Sequence, residues 1–524
     1  MSEASGASDS SRPGVAGPLR RLVRGGSLNM VGLCCQQGSL VLITTVIARS
    51  LGTSALGQYA LAFAMLGVLG LLALSGLRAS LTRFIATQLA DGNAAAVRGT
   101  VRMCMSISVL SSFVISGLLV GLAPQIASLF HQSGLAGEIR VVAVALPGAT
   151  IRDSALAATQ GWRSQRAFTL IGSVYEPLAR LVITVAALAL GFGLAGAYFA
   201  LLFDTWTSAA AAYIALRRRM ATVISARRLF ETRRILSFAV VSWGATMATS
   251  GLLWADTLLL GHFRPAADVG VYNVATRLAT LAIFAMGPIS MAFMPQFAHH
   301  FHRDERKHFA GIYTWATNWI VRLTLPAFVM MLVFPADLLR IFGASYAEGA
   351  KVTIILAIGQ LVAAGTGPCG TALSMAGKVR LNMIDNIGAL FLNVGLNLWW
   401  IPAHGITGAA LAWCVSLIAI NVAKYLQLYW LIAVSPFGTR TVKSFVAAAS
   451  SAAAAVLVRV AVGPIAAEMV LGAIVVVAVY GAVCVALGLA DDERQVVQML
   501  VPKRMRSSRG RHRVMSPGQS VRRN

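Results

Sequence analysis

Several charged residues lie within segments that are otherwise long and apolar. In residues 254–280, WADTLLLGHFRPAADVGVYNVATRLAT, Asp256 belongs to one apolar segment and Arg277 to the next. If the two segments are antiparallel helices that meet near residues 265–269, both charges lie roughly 10–15 Å from the turn, at about 1.5 Å per residue. We therefore predict that Asp256 and Arg277 face each other at one depth, either as a strut between two helices or as part of a binding site.

Charges of this kind recur along the chain, and they are the residues best suited to a function. The charged residues within apolar segments are Arg78, Arg152, Asp153, Glu176, Arg180, Asp204, Asp256, Arg277, Arg322 and Lys424. At the centre of a membrane helix, each charge costs about 2.5–3.5 kcal/mol on insertion scales. If these side chains face inward, they line a wet, mixed-charge and mainly cationic cavity.

Ion pairing within and between neighbouring segments can account for some of these charges, so that no role in function is needed to explain them. Glu176 and Arg180 are four residues apart, so they can pair on one face of a helix. Arg152 and Asp153 lie at a similar depth on the preceding antiparallel segment. These four residues can therefore form a structural cluster.

Other charges lack an obvious local partner. Arg78 and Arg322 are cations of this kind, and an intramembrane cation without a partner is suited to binding an anion. Lys424 lies near the cytoplasmic end of its segment, where a long side chain can reach the interface. Asp204 is an isolated acid, which suggests a proton or cation site. We assign substrate binding to Arg78, Arg152, Arg180, Arg277 and Arg322, and coupling or ion pairing to Asp153, Glu176, Asp204 and Asp256.

Composition identifies a polytopic membrane protein. Of the 524 residues, 57% are hydrophobic and 12% are charged, whereas soluble domains carry about 25% charged residues. The net charge of +25 is spread over short segments between apolar runs, a distribution that argues against binding to nucleic acid. We therefore expect an all-α integral membrane protein.

The chain holds about fourteen segments of the roughly 20 apolar residues that a membrane span needs. The excess of arginine and lysine on alternate connectors places both termini in the cytoplasm. The expected regions are a polar, basic N-terminus (1–26), a six-helix N-lobe (27–216), a basic linker (217–235), a six-helix C-lobe (236–432), two extra helices (433–490) and a basic tail (491–524).

An internal repeat relates the two lobes. The tripeptide GQY at 57–59 aligns with GVY at 270–272, a shift of 213 (270 − 57), and GLAGA at 193–197 aligns with GITGA at 405–409. Six expected spans separate equivalent points, and an even number leaves both lobes with the same orientation. The repeat is therefore expected to be parallel, with its axis along the membrane normal.

The sequence gives no sign of metal, cofactor or enzyme chemistry. Four histidines lie beside a cytoplasmic turn and are expected to be a solvated helix end: His299, His300, His302 and His308. The six cysteines all fall in apolar segments, where cysteine behaves as a small hydrophobe. The chain contains no Gly-x-x-x-x-Gly-Lys-[Ser/Thr] sequence for ATP hydrolysis. We expect a transporter, not an enzyme.

Ordered motifs in both lobes resemble a known family. They are Asp256-x4-Gly-His-x7-Gly270-Val-Tyr272-x4-Arg277, Leu51-Gly52-x4-Gly57-Gln-Tyr59, Leu339-Arg-Ile-Phe-Gly343-x2-Tyr346 and Gly405-Ile-Thr-Gly-Ala-Ala410. Over residues 25–490 the chain resembles the polysaccharide transporters, the O-antigen and teichoic-acid flippases of the multidrug/oligosaccharidyl-lipid/polysaccharide exporter superfamily.

The resemblance implies a fold and a substrate. The two lobes would form a V around a central cationic cavity, and an undecaprenyl-diphosphate-linked oligosaccharide would pass from the inner to the outer face of the bacterial inner membrane. Partners would be membrane lipids and the polysaccharide polymerase and export machinery, with proton or sodium coupling. Asp256 and Arg277 match the motif best. The position equivalent to Asp256 in the first lobe is Ile43 (256 − 213), so a symmetric pair of acids is not expected.

Two alternatives belong to the same superfamily. A cation-coupled multidrug antiporter would favour twelve spans and an acidic or aromatic cavity, and a flippase for the peptidoglycan lipid precursor would share the fourteen spans. A glycan-polymerising membrane enzyme would need a large external loop with catalytic residues, and no such loop is expected here.

Overall fold

The computed structural model describes residues 16–130, 134–223, 229–433, 435–462 and 466–488, and every regular element in these ranges is a helix. Residues 224–228 of the expected linker and the whole tail from 491 lie outside the described residues. At the N-terminus, helix begins at Ala16, before the first span expected from residue 27.

Six long helices make up the first half of the chain. They are α1 (Ala16–Leu74), α2 (Leu77–Ala90), α3 (Ala94–Leu129), α4 (Leu135–Gly161), α5 (Glu176–Ala189) and α6 (Gly193–Met220). A π-helical segment, Phe168–Tyr175, leads into α5, and a 3-10 turn, Ala221–Val223, follows α6. Helix α4 packs against α2, α3 and α6, so it is the central helix of this half.

The second half is also helical throughout its described residues. Its helices are α7 (Thr232–Phe263), α8 (Ala266–Ala282), α9 (Met286–His302), α10 (Arg306–Val333), α11 (Pro335–Arg340), α12 (Ala350–Thr366), α13 (Cys369–Met375) and α14 (Val379–Ile432). A 3-10 segment, Ala344–Gly349, precedes α12. Helix α14 packs against α7, α12 and α13.

Two further helices form a separate compact unit, which begins at Val442. They are α15 (Thr439–Val462) and α16 (Ala466–Ala486). Within this unit the Nζ of Lys443 donates a hydrogen bond to the carbonyl oxygen of Leu487 at 2.6 Å, which joins the start of one helix to the residue that follows the other.

Local sequence explains where these helices begin and why they are long. The side chain of Asn93 accepts a hydrogen bond from the backbone N–H of Ala96 at 2.9 Å, which satisfies one of the free donors at the start of α3. Helix α3 is apolar around most of its circumference, the pattern of a helix surrounded by protein or lipid. Eleven helices among the described residues are long and apolar enough to cross a membrane, or twelve spans if the bent pair α8–α9 counts as one.

Two helices are too long for one crossing, and both contain a break. The described apolar part of α1, Met30–Leu74, has 45 residues, or roughly 68 Å at about 1.5 Å per residue, which is about twice the hydrocarbon thickness. Its regular geometry is interrupted at Gly52, with φ 82° and ψ −173°. Helix α14, with 54 residues, is interrupted in the same way at Gly405.

The repeat has a counterpart in the backbone. Gly193, at the start of α6, and Gly405, at the break in α14, are equivalent positions, and both have φ of +56°. A residue with a side chain rarely adopts this conformation, and glycine does so without steric cost. The break in α14 therefore corresponds to the turn between α5 and α6.

Helices α1 and α8 cross through two equivalent glycines. A Cβ on Gly57 would collide with the carbonyl oxygen of Ala266, and a Cβ on Gly270 would collide with the carbonyl oxygen of Thr53. Small residues allow helix backbones to approach this closely. The crossing joins the two halves of the chain, and one apolar core continues through it.

We expect Gly57→Ala and Gly270→Ala each to lower the free energy of unfolding by about 1–3 kcal/mol, because the added methyl group overpacks a backbone contact. The matched control is Gly117→Ala on α3, where a Cβ would meet nothing within 4 Å. That control is expected to be neutral or stabilising, since alanine is favoured over glycine within a helix. Thermal unfolding in detergent measures all three variants. If Gly57→Ala and Gly270→Ala melt no lower than Gly117→Ala, the close crossing is wrong.

Candidate functional site

Five charged side chains from α4, α5 and α6 form a continuous chain of ion pairs. Arg152 contacts Asp153 through Nε at 2.8 Å and Glu176 through Nη1 at 2.6 Å. Arg180 contacts Glu176 at 2.9 Å and Asp204 at 2.7 Å, both through Nη2. Glu176 therefore connects the two arginines.

The predicted four-charge cluster of Arg152, Asp153, Glu176 and Arg180 is thus confirmed, but the interpretation of Asp204 as an isolated acid is wrong. Arg180 lies nine residues before the last residue of α5 (189 − 180), and Asp204 lies eleven residues after the first residue of α6 (204 − 193). Because α5 and α6 form a tight antiparallel hairpin, these positions share a depth. The same reasoning was available from the sequence for this pair.

The charges of the cluster nearly balance. Two arginines face three acids, a formal charge of −1 (2 − 3). The side chain of Asp204 is 0% exposed, so its carboxylate depends entirely on Arg180 and neighbouring groups for solvation. A buried carboxylate of this kind is stable only when it is paired and hydrogen-bonded.

A cavity of about 460 Å³ lies over this cluster. Its charged lining residues are Arg78, Arg152, Asp153, Glu176 and Arg180, and α7 contributes Trp243, Thr246 and Trp254 to the same wall. Arg78 is exposed, lies 5.8 Å from the centroid of the Phe168 ring and makes no ion pair with another described residue. The lining therefore has mixed charge, and Arg78 is the cation that forms no close ion pair, although Asp153 attracts it electrostatically.

The second half buries an acid in a different way. Asp256 on α7 is 3% exposed and accepts hydrogen bonds from three neutral groups. The hydroxyl of Tyr272 donates to Oδ2 at 3.0 Å, and the side-chain amides of Asn393 and Asn397 donate to Oδ1 at 2.9 Å and 2.6 Å. Three donors around one carboxylate stabilise its charge without a cation.

The predicted contact between Asp256 and Arg277 is therefore wrong. Equal distance from a turn fixes the depth of two residues but not the direction in which each side chain points. Tyr272, which reaches Asp256, and Arg277 are five residues apart on α8, a rotation of roughly 140° at 3.6 residues per turn. Arg277 consequently points towards α1.

Arg277 lines a small cavity of about 10 Å³ between α1, α7 and α8. Thr44, Tyr59 and Asn273 line the same cavity. Nε of Arg277 has no hydrogen-bond partner within the described part of the chain. The hydroxyl of Tyr59 lies beside Arg180 and has no acid to donate to. The repeat explains this difference: Tyr59 is equivalent to Tyr272, but Ile43 occupies the position of the acid.

The remaining predicted residues lie elsewhere. Arg322 is half-buried on α10 and is not part of the lining of either cavity. Lys424 on α14 has a partner that the sequence did not suggest, because its Nζ donates to Oδ1 of Asn386 at 2.7 Å. Nearby, Gln427 donates to Asp385 at 2.8 Å.

Sequence reasoning missed the residues that hold Asp256. Asn393 and Asn397 are four residues apart, within an apolar segment, and both are 0% exposed. That spacing places two amides on one helix face, and it was visible in the sequence. Asn393 and Asn397 were missed because only charged residues within apolar segments were considered as candidates.

Removing one member of the ion-pair chain should destabilise the protein more than removing two that face each other. Arg180→Leu leaves the buried carboxylate of Asp204 without its cation, and we expect a loss of about 3–5 kcal/mol. The double variant Arg180→Leu/Asp204→Asn should lose less than Arg180→Leu alone, because the orphaned charge is gone. Thermal unfolding of the detergent-solubilised protein tests this order. A double variant at least as unstable as Arg180→Leu would contradict the pairing.

Comparison with protein families identifies the chain. A family model described as "Polysaccharide biosynthesis protein" matches residues 22–301, which is more than half of the chain, and a model described as "MatE" matches residues 243–399. A protein of Haloferax volcanii named "Probable low-salt glycan biosynthesis flippase Agl15" is 24% identical over 403 residues, covering 73% of this chain and 78% of the relative.

Other relatives match over shorter lengths. The "Probable flippase AglR" of Haloferax volcanii is 28% identical over 191 residues, 35% of this chain and 39% of the relative. The "Teichuronic acid biosynthesis protein TuaB" of Bacillus subtilis is 26% identical over 216 residues, 39% of this chain and 42% of the relative. The matched region therefore spans less than half of these two proteins.

Solved structures show the same fold at low sequence identity. A lipid II flippase, MurJ, in an inward closed conformation, gives a TM-score of 0.69 at 11% identity, covering 90% of this chain and 98% of that structure. An inward-facing multidrug resistance transporter of the MATE family gives 0.64 at 17% identity, with 76% and 94% covered. The fold is that of the superfamily of these transporters, and the chain belongs to the polysaccharide biosynthesis protein family.

Proposed function

We propose that this protein is a flippase that moves an undecaprenyl-diphosphate-linked oligosaccharide from the inner to the outer face of the bacterial inner membrane. The product would serve cell-surface or exopolysaccharide biosynthesis and pass to a polymerase and export machinery. The observation that carries the proposal is the match to the polysaccharide biosynthesis family over more than half of the chain. One relative named as a probable glycan biosynthesis flippase and another named as a probable flippase support it.

The proposed architecture has fourteen spans in two six-helix lobes and two extra helices. Twelve spans result when α8 and α9 count as one, and the breaks at Gly52 and Gly405 divide two of these into four. Each piece then has a length suited to one crossing. The matching backbone at Gly193 and Gly405 supports a parallel repeat, and the basic connectors favour cytoplasmic termini.

The diphosphate is the part of the substrate that needs protein assistance, because an anion cannot cross about 30 Å of hydrocarbon unaided. A guanidinium group matches phosphate oxygens in geometry and charge. Arg78 and Arg277 are the proposed binding cations, because neither forms an ion pair within 4.0 Å with an acid among the described residues. A phosphate would have to displace the attraction of Asp153 for Arg78 and open the small cavity at Arg277. Arg152 and Arg180 would act indirectly, since Asp153, Glu176 and Asp204 already occupy them.

The membrane potential supplies a driving force in the required direction. With the inside negative, outward movement of an anion is favoured by about 2.3 kcal/mol per charge per 100 mV. Binding at cationic side chains from the cytoplasmic side and release outside would then need no ATP. The prenyl chain would remain in the lipid, because an apolar chain needs no polar binding site to move within hydrocarbon.

Asp256 is the proposed coupling acid. Its carboxylate has three neutral donors and no cation within 4.0 Å among the described residues, so its charge can be altered without breaking an ion pair. Rotation of the two asparagine amides would present oxygen atoms to a sodium ion, and direct protonation would serve a proton. Asp204 is less suited, because Arg180 already neutralises it.

We expect Arg277→Ala and Arg78→Ala to reduce transport by about ten-fold to a hundred-fold, because a hydrogen bond to a charged group contributes about 1.5–3 kcal/mol. Transport of a fluorescent undecaprenyl-diphosphate oligosaccharide in proteoliposomes measures this. Arg102→Ala is the matched control, since Arg102 is an exposed arginine on α3 that is not part of the lining of the cavity over the ion-pair cluster.

Two outcomes would contradict the proposal. Full transport by correctly inserted Arg277→Ala and Arg78→Ala would make these arginines structural. Absence of transport by the wild type, together with efflux of ethidium, would instead favour the cation-coupled multidrug antiporter, to which the match of residues 243–399 also points.

We expect Asp256→Asn to abolish the response of transport to an imposed proton or sodium gradient, because the amide cannot ionise. The matched control is Asp268→Asn, which alters a partly exposed acid paired with Arg264 at 2.9 Å. Transport rates with and without each gradient are compared in the same vesicles. A wild type indifferent to both gradients, or an Asp256→Asn variant that responds as the wild type does, would exclude coupling at this residue.

A further inference from the structure

The turn between α9 and α10 brings three possible metal ligands together. One ligand atom from each of His300, Glu305 and His308 lies within 4.8 Å of the other two. His300 is near the end of α9, Glu305 immediately precedes α10, and His308 is in its first turn. These groups are separate from both cavities described above.

The turn is held in place by apolar packing beneath it. Phe297 and Phe309 are 0% and 1% exposed, and their ring centroids are 5.1 Å apart. The backbone N–H of Glu305 donates to the carbonyl oxygen of His300 at 3.0 Å, and Asp304 closes the turn with φ of +56°. The ligand atoms are therefore positioned by a well-packed helical hairpin.

Within the cluster, the side chains already converge. Nδ1 of His300 lies 2.6 Å from Oε2 of Glu305, and the ring of His308 stacks on that of His300 with centroids 5.5 Å apart and an interplanar angle of 15°. Glu305 occupies the N-cap position of α10, but its side chain makes no capping hydrogen bond. Its carboxylate is directed back towards the histidine.

The charges around the cluster suit a cation. Glu305 contributes a carboxylate oxygen, which already lies 2.6 Å from Nδ1 of His300. The nearby guanidinium of Arg306 is paired with Asp304 at 2.9 Å, which reduces its repulsion of a second cation. Two imidazoles and one carboxylate are a ligand set that zinc uses in proteins.

We propose that His300, Glu305 and His308 bind a divalent transition-metal cation of the zinc class. Ligand bonds of about 2.0–2.1 Å in a tetrahedron separate the ligand atoms by roughly 3.3 Å. The hydrogen-bonded pair must therefore widen slightly as the ion takes the place of the shared proton, and His308 must move inward. Water would fill the fourth position.

Such an ion would fix the end of α9 to the start of α10. The other end of α9 meets α8 at a bend of 43°, so the ion would anchor the second helix of a bent pair. This role does not depend on what the protein transports.

The test is zinc binding by the full-length protein, purified in detergent through an affinity tag free of histidine and stripped of metal with a chelator. Isothermal titration with Zn²⁺ measures stoichiometry and affinity for the wild type, His300→Ala, Glu305→Gln and His308→Ala. The matched control is His302→Ala, an exposed histidine of the same turn that is outside the cluster. Absorption of bound Co²⁺ reports the coordination geometry.

We expect one zinc ion per wild-type chain, binding at least about ten-fold weaker in each of the three ligand variants, and unchanged binding in His302→Ala. Zinc should also raise the melting temperature of the wild type and of His302→Ala but not of His300→Ala. Equal binding by the wild type and His300→Ala, or no binding by the wild type, would overturn the site. Neither result bears on glycan transport.

Discussion

A charge in an apolar interior must be matched by groups that replace water, and the two halves of this chain meet that requirement differently. In the first half, arginines and acids alternate in a continuous chain from Arg152 to Asp204. In the second half, Asp256 accepts hydrogen bonds from three neutral groups and forms no ion pair with another described residue. The first solution fixes each charge through its neighbours, whereas the second stabilises one carboxylate by hydrogen bonds from neutral groups.

This difference determines which cations are available to a ligand. The arginines of the ion-pair chain are occupied, and Arg78 and Arg277 are not paired with an acid within the described residues. A count of charged residues along the sequence cannot make this distinction, because it treats all arginines alike. The proposed flippase would depend on two cations in different cavities, one near the charged cluster and one beside the crossing of α1 and α8.

Much of the helical fold was predictable because hydropathy and internal repeats act over many residues. The four-charge cluster was predictable for a related reason, since spacing along a helix and depth below a turn are both readable from the sequence. The predicted contact between Asp256 and Arg277 is wrong because the depth of a residue does not specify the direction in which its side chain points. Asn393 and Asn397 were missed because neutral amides are not conspicuous in composition, although they define the surroundings of Asp256.

The glycine contact between α1 and α8 also bears on how a repeated chain accepts mutation. Gly57 and Gly270 occupy equivalent positions and meet across one crossing, each against the backbone of the other helix. In a dimer of two identical halves, a single substitution at this position would introduce both collisions at once. In the fused chain, the two positions mutate independently. Fusion therefore allows equivalent positions of the two halves to carry different residues. Ile43 and Asp256 are such a pair.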